Sequence, residues 1–311
     1  MNNAPVPLSE EANLTKPKIS VVIATAGTKS MLGDCLTALA NQVWSRKDDF
    51  EVVIVNDGGA DCQPAAFDMY REKLRIKYFH QDHRGPAAAR NFGIRMADGE
   101  IIVFLDDDSV PLGNWIDSTL SAWMNTPEYD GIGGCIATDP RDTLYCRVNA
   151  DVFNWYLEQP SSHGECLSLV TCNAGYRKSS LERIGGFDDK FERACGEDRD
   201  LNLRMARSGG KVRLDPAILV YHDRDVTLTS FLKKHYHYGK AASRIYSRFP
   251  DLKHFSAGVY GSLFSSVWKK RKRLGDRAAA LSLAAVSQLA TMLGFLIGKL
   301  HPEDNIRFKT D

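Results

Sequence analysis

The fold is decided by Ile101-Ile-Val-Phe-Leu-Asp-Asp-Asp108, five apolar residues followed directly by three aspartates. A continuous apolar run of this length is typical of a strand that is buried on both faces of a parallel sheet. Three adjacent carboxylates at the end of such a strand repel one another unless a cation or a donor group balances them. The stretch therefore predicts a buried strand that ends at an acidic, ligand-binding edge.

Similar apolar runs upstream extend this strand into a sheet. They cover Ile19–Ala24, Glu51–Val55 and Ile76–Phe79, and helical patterns separate them, among them Met31–Gln42 and Ala87–Ala97. Strands that alternate with helices at this spacing predict a doubly wound α/β domain. The expected architecture is a Rossmann-like, mostly parallel sheet flanked by helices.

Polar residues follow three of these strands, and their position gives them functional weight. Thr25 ends the first run, Asp57 the second, and Asp106, Asp107 and Asp108 the fourth. Ligands of open α/β sheets bind outside the carboxyl ends of the strands. Because strand side chains alternate, Asp106 and Asp108 share one side. Such a pair favours a hard cation, Mg²⁺ or Mn²⁺, which can hold a diphosphate; the alternative is a solvated acidic turn.

Composition limits the range of functions. The 311 residues are 43% hydrophobic and 25% charged, with a formal charge of +1, so no whole-protein field recruits nucleic acid. Residues 231–277 carry twelve Lys and Arg against two acids, a basic segment with interleaved tyrosines but no recognised nucleic-acid motif. We expect a flexible tail over residues 1–17, a catalytic domain over 18–225, and a helical basic and apolar region over 226–311.

The cysteines indicate the compartment. Seven are scattered along the chain, and Met1–Lys16 contains no apolar segment of the secretory type. This pattern favours free thiols in a reducing cytoplasm. A zinc site made by His163, Cys166 and Cys172 is the alternative, although no Cys-x-x-Cys pair accompanies these residues.

A second acidic site is expected at Glu197-Asp198, which opens an apparent helix over Asp198–Ser208. Group transfer to a hydroxyl needs a carboxylate that takes the proton, separate from the carboxylates that hold a cation. Acids in the first turn of a helix are also favoured by the helix dipole, which is the structural alternative. Together with the aspartate group, the family resemblance given next implies that Asp198 is a catalytic base and that Glu197 is its orienting neighbour or an acceptor contact.

Six motifs in order resemble family 2 glycosyltransferases of the GT-A fold. They are Val21-Val-Ile-Ala-Thr25, Val55-Asn-Asp-Gly-Gly59, Gly85-Pro-Ala-Ala-Ala-Arg-Asn91, Phe104-Leu-Asp-Asp-Asp108, Gly185-Gly-Phe-Asp188 and Gly196-Glu-Asp-Arg-Asp-Leu201. The resemblance spans about 200 residues, from Ile19 to His222. It implies inverting glycosyl transfer from a nucleotide-sugar, assisted by Mn²⁺ or Mg²⁺.

The resemblance also implies roles for individual residues. Thr25 would lie beside the nucleotide, Asp57 would accept from the N3-H of a uracil or thymine base, and Arg90 would lie near base and ribose. Asp106 would approach the ribose and the metal, and Asp108 would bind the metal. Ala24-Thr25-Ala26-Gly27 departs from the family's usual Pro-Thr-Tyr-Asn, which removes the expected aromatic and amide contacts near the base.

His222 ends the apolar run Ala217–Tyr221, again at the carboxyl end of a predicted strand. In enzymes that the sequence resembles, a histidine at this place can complete the metal shell, and imidazole is an acceptable ligand for Mn²⁺. The alternative is a hydrogen-bonded core histidine. We expect His222 to join Asp106 and Asp108 as a metal ligand.

The C-terminal region contains a possible membrane element. Lys269-Lys-Arg-Lys-Arg273 precedes an uncharged segment, Ala278–Gly298, that is long enough to cross a hydrocarbon layer. Small and polar residues form one face of this segment, opposite Leu289, Leu293 and Leu296. Three interpretations stay open: an interfacial helix, a single span, or a helix packed on the catalytic domain.

Together these observations predict a cytoplasmic glycosyltransferase that is peripheral to the inner face of the cell membrane through residues 231–300. Its donor would be a UDP- or dTDP-type sugar, and its acceptor an envelope glycan, a polysaccharide or a lipid-linked glycan. The rival enzyme is a sugar nucleotidyltransferase, which needs a basic Gly-rich loop where residues 24–30 supply only Lys29. The rival from another class is an inactive glycan-binding or membrane scaffold protein.

Overall fold

The structure is a computed structural model of the 311-residue chain. It describes residues 18–27, 29–42, 50–59, 64–139, 141–159, 168–191, 195–222, 226–252 and 257–301. The predicted tail over residues 1–17, and the cysteines and histidine at Cys62, His163 and Cys166, lie outside these ranges.

Eight strands and nine α-helices make up the described chain. The strands are β1 (Ile19–Thr25), β2 (Phe50–Asp57), β3 (Ile76–Gln81), β4 (Ile101–Asp106), β5 (Val110–Pro111), β6 (Gly131–Ile136), β7 (Ala174–Arg177) and β8 (Val212–Tyr221). The helices are α1 (Lys29–Ala40), α2 (Pro86–Met96), α3 (Trp115–Asn125), α4 (Leu144–Leu157), α5 (Lys178–Arg183), α6 (Glu197–Arg207), α7 (Leu228–Arg248), α8 (Ala257–Lys269) and α9 (Leu274–Leu300). A 3-10 helix, Pro64–Tyr70, precedes β3 where the sequence predicts an α-helical pattern.

All eight strands form one mixed sheet in the order β3-β2-β1-β4-β7-β6-β8-β5. The first four are parallel neighbours, and β6 is parallel to β8, whereas β7 and β5 run antiparallel to the strands that they pair with. Six strands therefore share one direction, which confirms the mostly parallel sheet. Their carboxyl ends meet along one edge, and the acidic residues lie there.

Alternating side chains build a core on each face of the sheet. Along β1, Val21 and Ile23 pack with α1 and α3 on one face, and Val22 packs with α2 and α6 on the other. Each of these side chains is fully buried. The continuous apolar pattern of β1 follows from this burial on both faces.

Strand β6 is absent from the sequence predictions because its sequence, Gly-Ile-Gly-Gly-Cys-Ile, does not read as a strand. The structure gives a reason for one of these glycines. A Cβ on Gly134 would lie 2.1 Å from the carbonyl oxygen of Ile218 in neighbouring β8. The close approach of the two backbones therefore requires glycine at this position.

The C-terminal helices pack together through small residues. A Cβ on Gly239 of α7 would meet the carbonyl oxygen of Thr291 at 1.9 Å, and one on Gly294 of α9 would meet that of Tyr236 at 1.9 Å. The small-residue face of α9 thus contacts α7 at backbone distance. The leucine face stays exposed, with Leu289 60% and Leu293 54% exposed. Leu274–Leu300 is also long and apolar enough to cross a membrane.

Candidate active site

The carboxyl ends of β1 and β4 are tied together by side chains. Ala24 of β1 is in register with Asp106 of β4. The Thr25 hydroxyl donates a 2.7 Å hydrogen bond to Asp107, and the backbone N–H of Gly27 donates to the Thr25 oxygen at 3.1 Å. Thr25 is buried, so it orders the first loop against the aspartates.

Asp106, Asp108 and His222 converge at this edge. The His222 Nε2 lies 3.2 Å from Asp108 Oδ1 and 3.6 Å from Asp106 Oδ2. β8 delivers His222 because its final residues pair with β5, directly after the aspartates. The carboxylates of Asp106 and Asp108 both lie within 3.6 Å of the same imidazole nitrogen, so negative charge is concentrated at one point on the edge of the sheet.

The donor set fits a divalent cation. Two donors about 2.2 Å from the same ion, at right angles around it, lie about 3 Å apart, close to the separations from His222. Asp106, His222 and Cys172 also offer ligand atoms that lie within 4.8 Å of one another. Carboxylate and imidazole together suit Mn²⁺, and carboxylate alone suits Mg²⁺. Cys172 is buried at this place, and the sequence predictions do not include it in the site.

Arg90 links this aspartate group to the second acidic site. Its guanidinium donates from Nη1 to Glu197 Oε1 at 2.8 Å and from Nη2 to Asp106 Oδ1 at 2.8 Å. The side chain is 5% exposed and packs over the ring of Phe187. Although burial opposes its charge, Asp106 and Glu197 raise the pKa of Arg90 above its ordinary value. Arg90 is thus a permanent cation between the carboxylates of Asp106 and Glu197, which lie 16 and 107 positions away from it in the sequence.

Glu197 and Asp198 open α6 after Gly196, which adopts a positive φ of 97°. Glu197 is 3% exposed, and its second oxygen accepts a 2.7 Å hydrogen bond from the backbone N–H of Cys195. Asp198 is partly buried and accepts from the backbone N–H of Arg199 at 2.7 Å. The Glu197 carboxylate is therefore buried, whereas that of Asp198 is only partly buried.

The environment of Asp198 suits proton transfer. Burial, together with repulsion from the Glu197 carboxylate, raises the pKa of Asp198 to about 7. The Arg199 backbone N–H and the charge of Arg90 act in the opposite direction. A general base works best when its pKa lies near the operating pH, so this carboxylate can accept a proton at neutral pH.

Asp57 is engaged by the protein on both oxygens. It accepts hydrogen bonds from the Gln81 side chain at 2.7 Å and from the backbone N–H groups of Arg84 and Gly85 at 2.9 Å each. His83 Nδ1 lies 2.9 Å from the second oxygen. A carboxylate accepts about four such bonds, so Asp57 holds the loop that begins α2. A contact to a nucleotide base would replace His83, whose side chain is 58% exposed.

Thr25, Asp57, Asp106, Asp108 and His222 lie at the carboxyl ends of their strands or within two residues of them, and Arg90 joins Asp106 to Glu197, the neighbour of Asp198. Arg90 bridges the two acidic groups, a position that the sequence predictions do not include, and the Thr25 hydroxyl contacts Asp107. Nothing in the local sequence around Arg90 indicates its partners, because both come from other elements. The proximity of Cys172 to His222 is equally a product of tertiary structure.

The mixed sheet with its acidic strand ends has the GT-A fold. Residues 20–185 match the family described as Glycosyl transferase family 2. The chain belongs to this family. The resemblance carried by the six motifs is therefore confirmed.

Curated relatives agree with this assignment. The chain is 28% identical over 238 residues to pre-mycofactocin glycosyltransferase of Mycobacterium tuberculosis, covering 75% of this chain and 48% of the relative. It is 29% identical over 235 residues to validoxylamine A glucosyltransferase of Streptomyces hygroscopicus subsp. limoneus, covering 67% and 52%. The chain spans about half the length of these relatives.

Solved structures share the fold. A mannosyltransferase from Pyrobaculum calidifontis in complex with GDP-Man and Mn²⁺ superposes with a TM-score of 0.60 at 20% identity, covering 92% of this chain and 86% of the other. S. aureus TarS in complex with UDP-GlcNAc gives a TM-score of 0.56 at 15% identity, with 94% of each chain covered.

Proposed function

We propose that the protein is an inverting, metal-dependent glycosyltransferase that moves a sugar from a UDP- or dTDP-type donor to a glycan acceptor. The observation that carries the proposal is the Arg90 bridge. It joins a cation-binding group, Asp106 with Asp108 and His222, to a carboxylate pair that includes a base of suitable pKa. The two tasks of the reaction thus have separate acidic sites that are held at a fixed spacing.

Asp106, Asp108 and His222 would hold the metal, Mn²⁺ or Mg²⁺. A divalent ion bound there supplies positive charge against which a leaving diphosphate can gather negative charge. The bound Mn²⁺ and GDP-Man of the archaeal mannosyltransferase support such a site in this fold. The Thr25 contact to Asp107 would keep the first loop in place beside the donor nucleotide.

Asp198 would act as the base. Its carboxylate takes the proton of the acceptor hydroxyl while the oxygen attacks the anomeric carbon from the side opposite the diphosphate, so one displacement inverts the configuration. Glu197 is held by Arg90 and by the Cys195 N–H, and it raises the pKa of Asp198 by repulsion. Arg90 therefore positions Glu197 and limits how far that pKa rises.

Asp57 and Arg84-Gly85 would form the base-recognition end of the donor site. The Asp57 carboxylate faces His83, which can move aside because it is largely exposed. A uracil or thymine N3-H would then take the place of His83 at the same oxygen.

The acceptor would be an envelope glycan, a polysaccharide or a lipid-linked glycan at a membrane surface. The exposed leucine face of α9 and the basic residues that precede the helix support contact with anionic lipid. A helix whose small-residue face is packed on α7 can still lay its opposite face in the headgroup layer. The enzyme would then work in the cytoplasm, peripheral to the inner face of the membrane.

A donor screen tests the proposed function. The full chain is incubated with UDP-, dTDP- and GDP-sugars, Mn²⁺ or Mg²⁺ and candidate acceptors, and the released nucleoside diphosphate is measured. We expect release from one UDP- or dTDP-sugar, dependent on the metal and inhibited by a chelator. Metal-independent turnover would contradict the metal assignment, and failure of every donor with suitable acceptors would contradict transfer.

A further inference from the structure

The acceptor must lie next to the side chain of Asp198, because its hydroxyl has to come within about 3 Å of that carboxylate. The remainder of the acceptor then covers the residues around the start of α6. The residue that follows Asp198 is Arg199, which is partly exposed. The side chains around Arg199 come from α4, α7 and α8, on the side of α6 that faces the C-terminal region.

Arg199 is held between two tyrosine rings. Its guanidinium carbon lies 5.8 Å from the ring centre of Tyr156 in α4 and 5.2 Å from that of Tyr246 in α7. The guanidinium also donates a hydrogen bond to Tyr246. Rings at these distances stabilise a cation through their electron-rich faces and restrict its orientation. Arg199 is thus fixed in place although its side chain is long.

Tyr260 of α8 adds a third, accessible ring. It lies against Trp155, with ring centres 6.0 Å apart, and it is 38% exposed. Burial, with the neighbouring Tyr246 and Tyr156, raises its pKa, and Arg199 opposes the shift, so these groups form one cluster. We call Arg199 with Tyr156, Tyr246 and Tyr260 the arginine–tyrosine cluster.

The charge of Arg199 lacks a carboxylate partner within the described part of the chain. Two arginines in buried surroundings have one: Arg90 pairs with Asp106 and Glu197, and Arg271 with Asp151. Arg199 forms no ion pair with any described residue, and Asp198 acts on it only through space. A partly buried, orientation-fixed guanidinium without an anionic partner is the usual form of an oxyanion-binding group.

Further positive charge lies on the same side. Gly196 packs against α7, since a Cβ there would lie 3.3 Å from Ala241. Lys234 and Arg244 of α7 act on the nearby Cys195, where they oppose the rise of the thiol pKa that burial and the two acids cause. Positive charge from α7 therefore lies close to the start of α6.

We propose that the arginine–tyrosine cluster is the acceptor subsite and that it selects an acceptor sugar carrying an oxyanion, a carboxylate or a phosphate. The in-plane N–H groups of Arg199 take the oxyanion, and the exposed face of Tyr260 stacks on the sugar ring. The inference rests on the proposed function, because it takes Asp198 as the base. It adds the chemical class of the acceptor.

Binding of simple sugars to the full chain tests the subsite without turnover. The probes are methyl glucoside, glucuronic acid and glucose 6-phosphate, titrated by calorimetry or saturation-transfer NMR in chelator, so that no metal takes up the phosphate. We expect at least one anionic sugar to bind about tenfold more tightly than the neutral glucoside. The tighter of the two anionic sugars shows whether the subsite recognises a carboxylate or a phosphate.

Variants assign the preference to the cluster. Arg199→Gln should abolish it, Arg199→Lys should reduce it because the charge stays and the planar fork is lost, and Tyr260→Ala should weaken all three sugars alike. The matched control is Arg213→Gln, which removes a guanidinium 5.7 Å from the Tyr129 ring. Arg213 lies near the start of β8, at the opposite end of that strand from His222, and its side chain pairs with Asp215 at 2.9 Å.

Two results would overturn the subsite: equal binding of all three sugars by the unaltered protein, or a preference that survives in Arg199→Gln. Should Arg199→Gln fail to fold, the subsite is tested by the same binding measurements on Arg199→Lys and Tyr260→Ala. The outcome is separable from the donor screen. Turnover without an anionic preference refutes the subsite alone, and an anionic preference without turnover on any donor refutes the proposed transfer alone.

Discussion

Replacing Arg90 by methionine removes the guanidinium that joins the two acidic groups while keeping a side chain of similar length. Two charge-assisted hydrogen bonds of 2.8 Å are lost. The carboxylates left behind differ in exposure, since the Glu197 side chain is 4% exposed and that of Asp106 is 29% exposed. Most of the cost therefore falls on Glu197, which is buried without a counter-charge.

The expected loss in the free energy of unfolding follows from the burial of Glu197. Removing one partner of a buried ion pair costs about 3–5 kcal/mol, because the other charge stays desolvated. A folded domain is stable by about 5–15 kcal/mol, so Arg90→Met should fold but unfold easily. With a urea m-value of about 2–3 kcal/mol/M, the midpoint of unfolding should fall by about 1–2.5 M.

The assay is urea unfolding at neutral pH with a matched control on the same helix. Arg95→Met removes an exposed guanidinium that lies 5.4 Å from the Phe92 ring, and it should change the free energy of unfolding by about 0.5 kcal/mol or less. In the double variant Arg90→Met/Glu197→Met, part of the loss should return because no buried carboxylate is left unpaired. Equal midpoints for Arg90→Met and Arg95→Met would refute the bridge.

Three further outcomes are expected. A protonated Asp198 cannot act as a base, and its pKa is raised to about 7, so kcat/KM should rise with pH through about 7. Glu197→Gln removes the repulsion between the two carboxylates and should move that rise to lower pH. An unchanged pH profile in this variant would contradict the coupling of Glu197 to Asp198. His222→Ala should weaken Mn²⁺ binding by about tenfold or more in calorimetry, whereas wild-type affinity would remove it from the metal site. Changing the exposed Leu289 and Leu293 to serine should reduce sedimentation with anionic lipid vesicles without changing the melting temperature, and undiminished sedimentation would exclude this face of α9 as the contact.

The sequence predicts the parallel half of the sheet well, because β1, β2 and β4 are buried on both faces and their apolar runs are continuous. It is weaker on β8, which begins at Val212, five residues before the predicted run, because Asp215-Pro216 interrupts the apolar pattern. The four-residue strand β7 carries no readable pattern of its own. Its two sheet neighbours, rather than its composition, make it a strand.

For the site, the residue types at strand ends predict which side chains gather at the edge, but not how they pair. Asp106 and His222 meet as expected because β4 and β8 end at the same edge of the sheet. The partners of Arg90 come from β4 and α6, and no local pattern around Arg90 encodes which elements lie beside α2. The same is true of Asp57, whose oxygens are engaged by the loop before α2.

The helix α9 illustrates a different limit. Its composition left three interpretations open, and the structure shows that the small-residue face lies on α7 of the same C-terminal region while the leucine face is exposed. Composition cannot separate these cases, because a packing face of small residues and an apolar outer face together read as one uncharged segment. Only the position of α7 distinguishes the two faces.

The most direct test of the account compares Asp198→Asn with Asp108→Asn in two measurements, binding of the nucleoside diphosphate with Mn²⁺ and transfer of the sugar. Asp198→Asn should bind the nucleotide and metal as the unaltered protein does and should transfer no sugar. Asp108→Asn should lose metal-dependent binding and transfer together. Full transfer by Asp198→Asn, or intact metal-dependent binding by Asp108→Asn, would contradict the division of work between the two acidic groups.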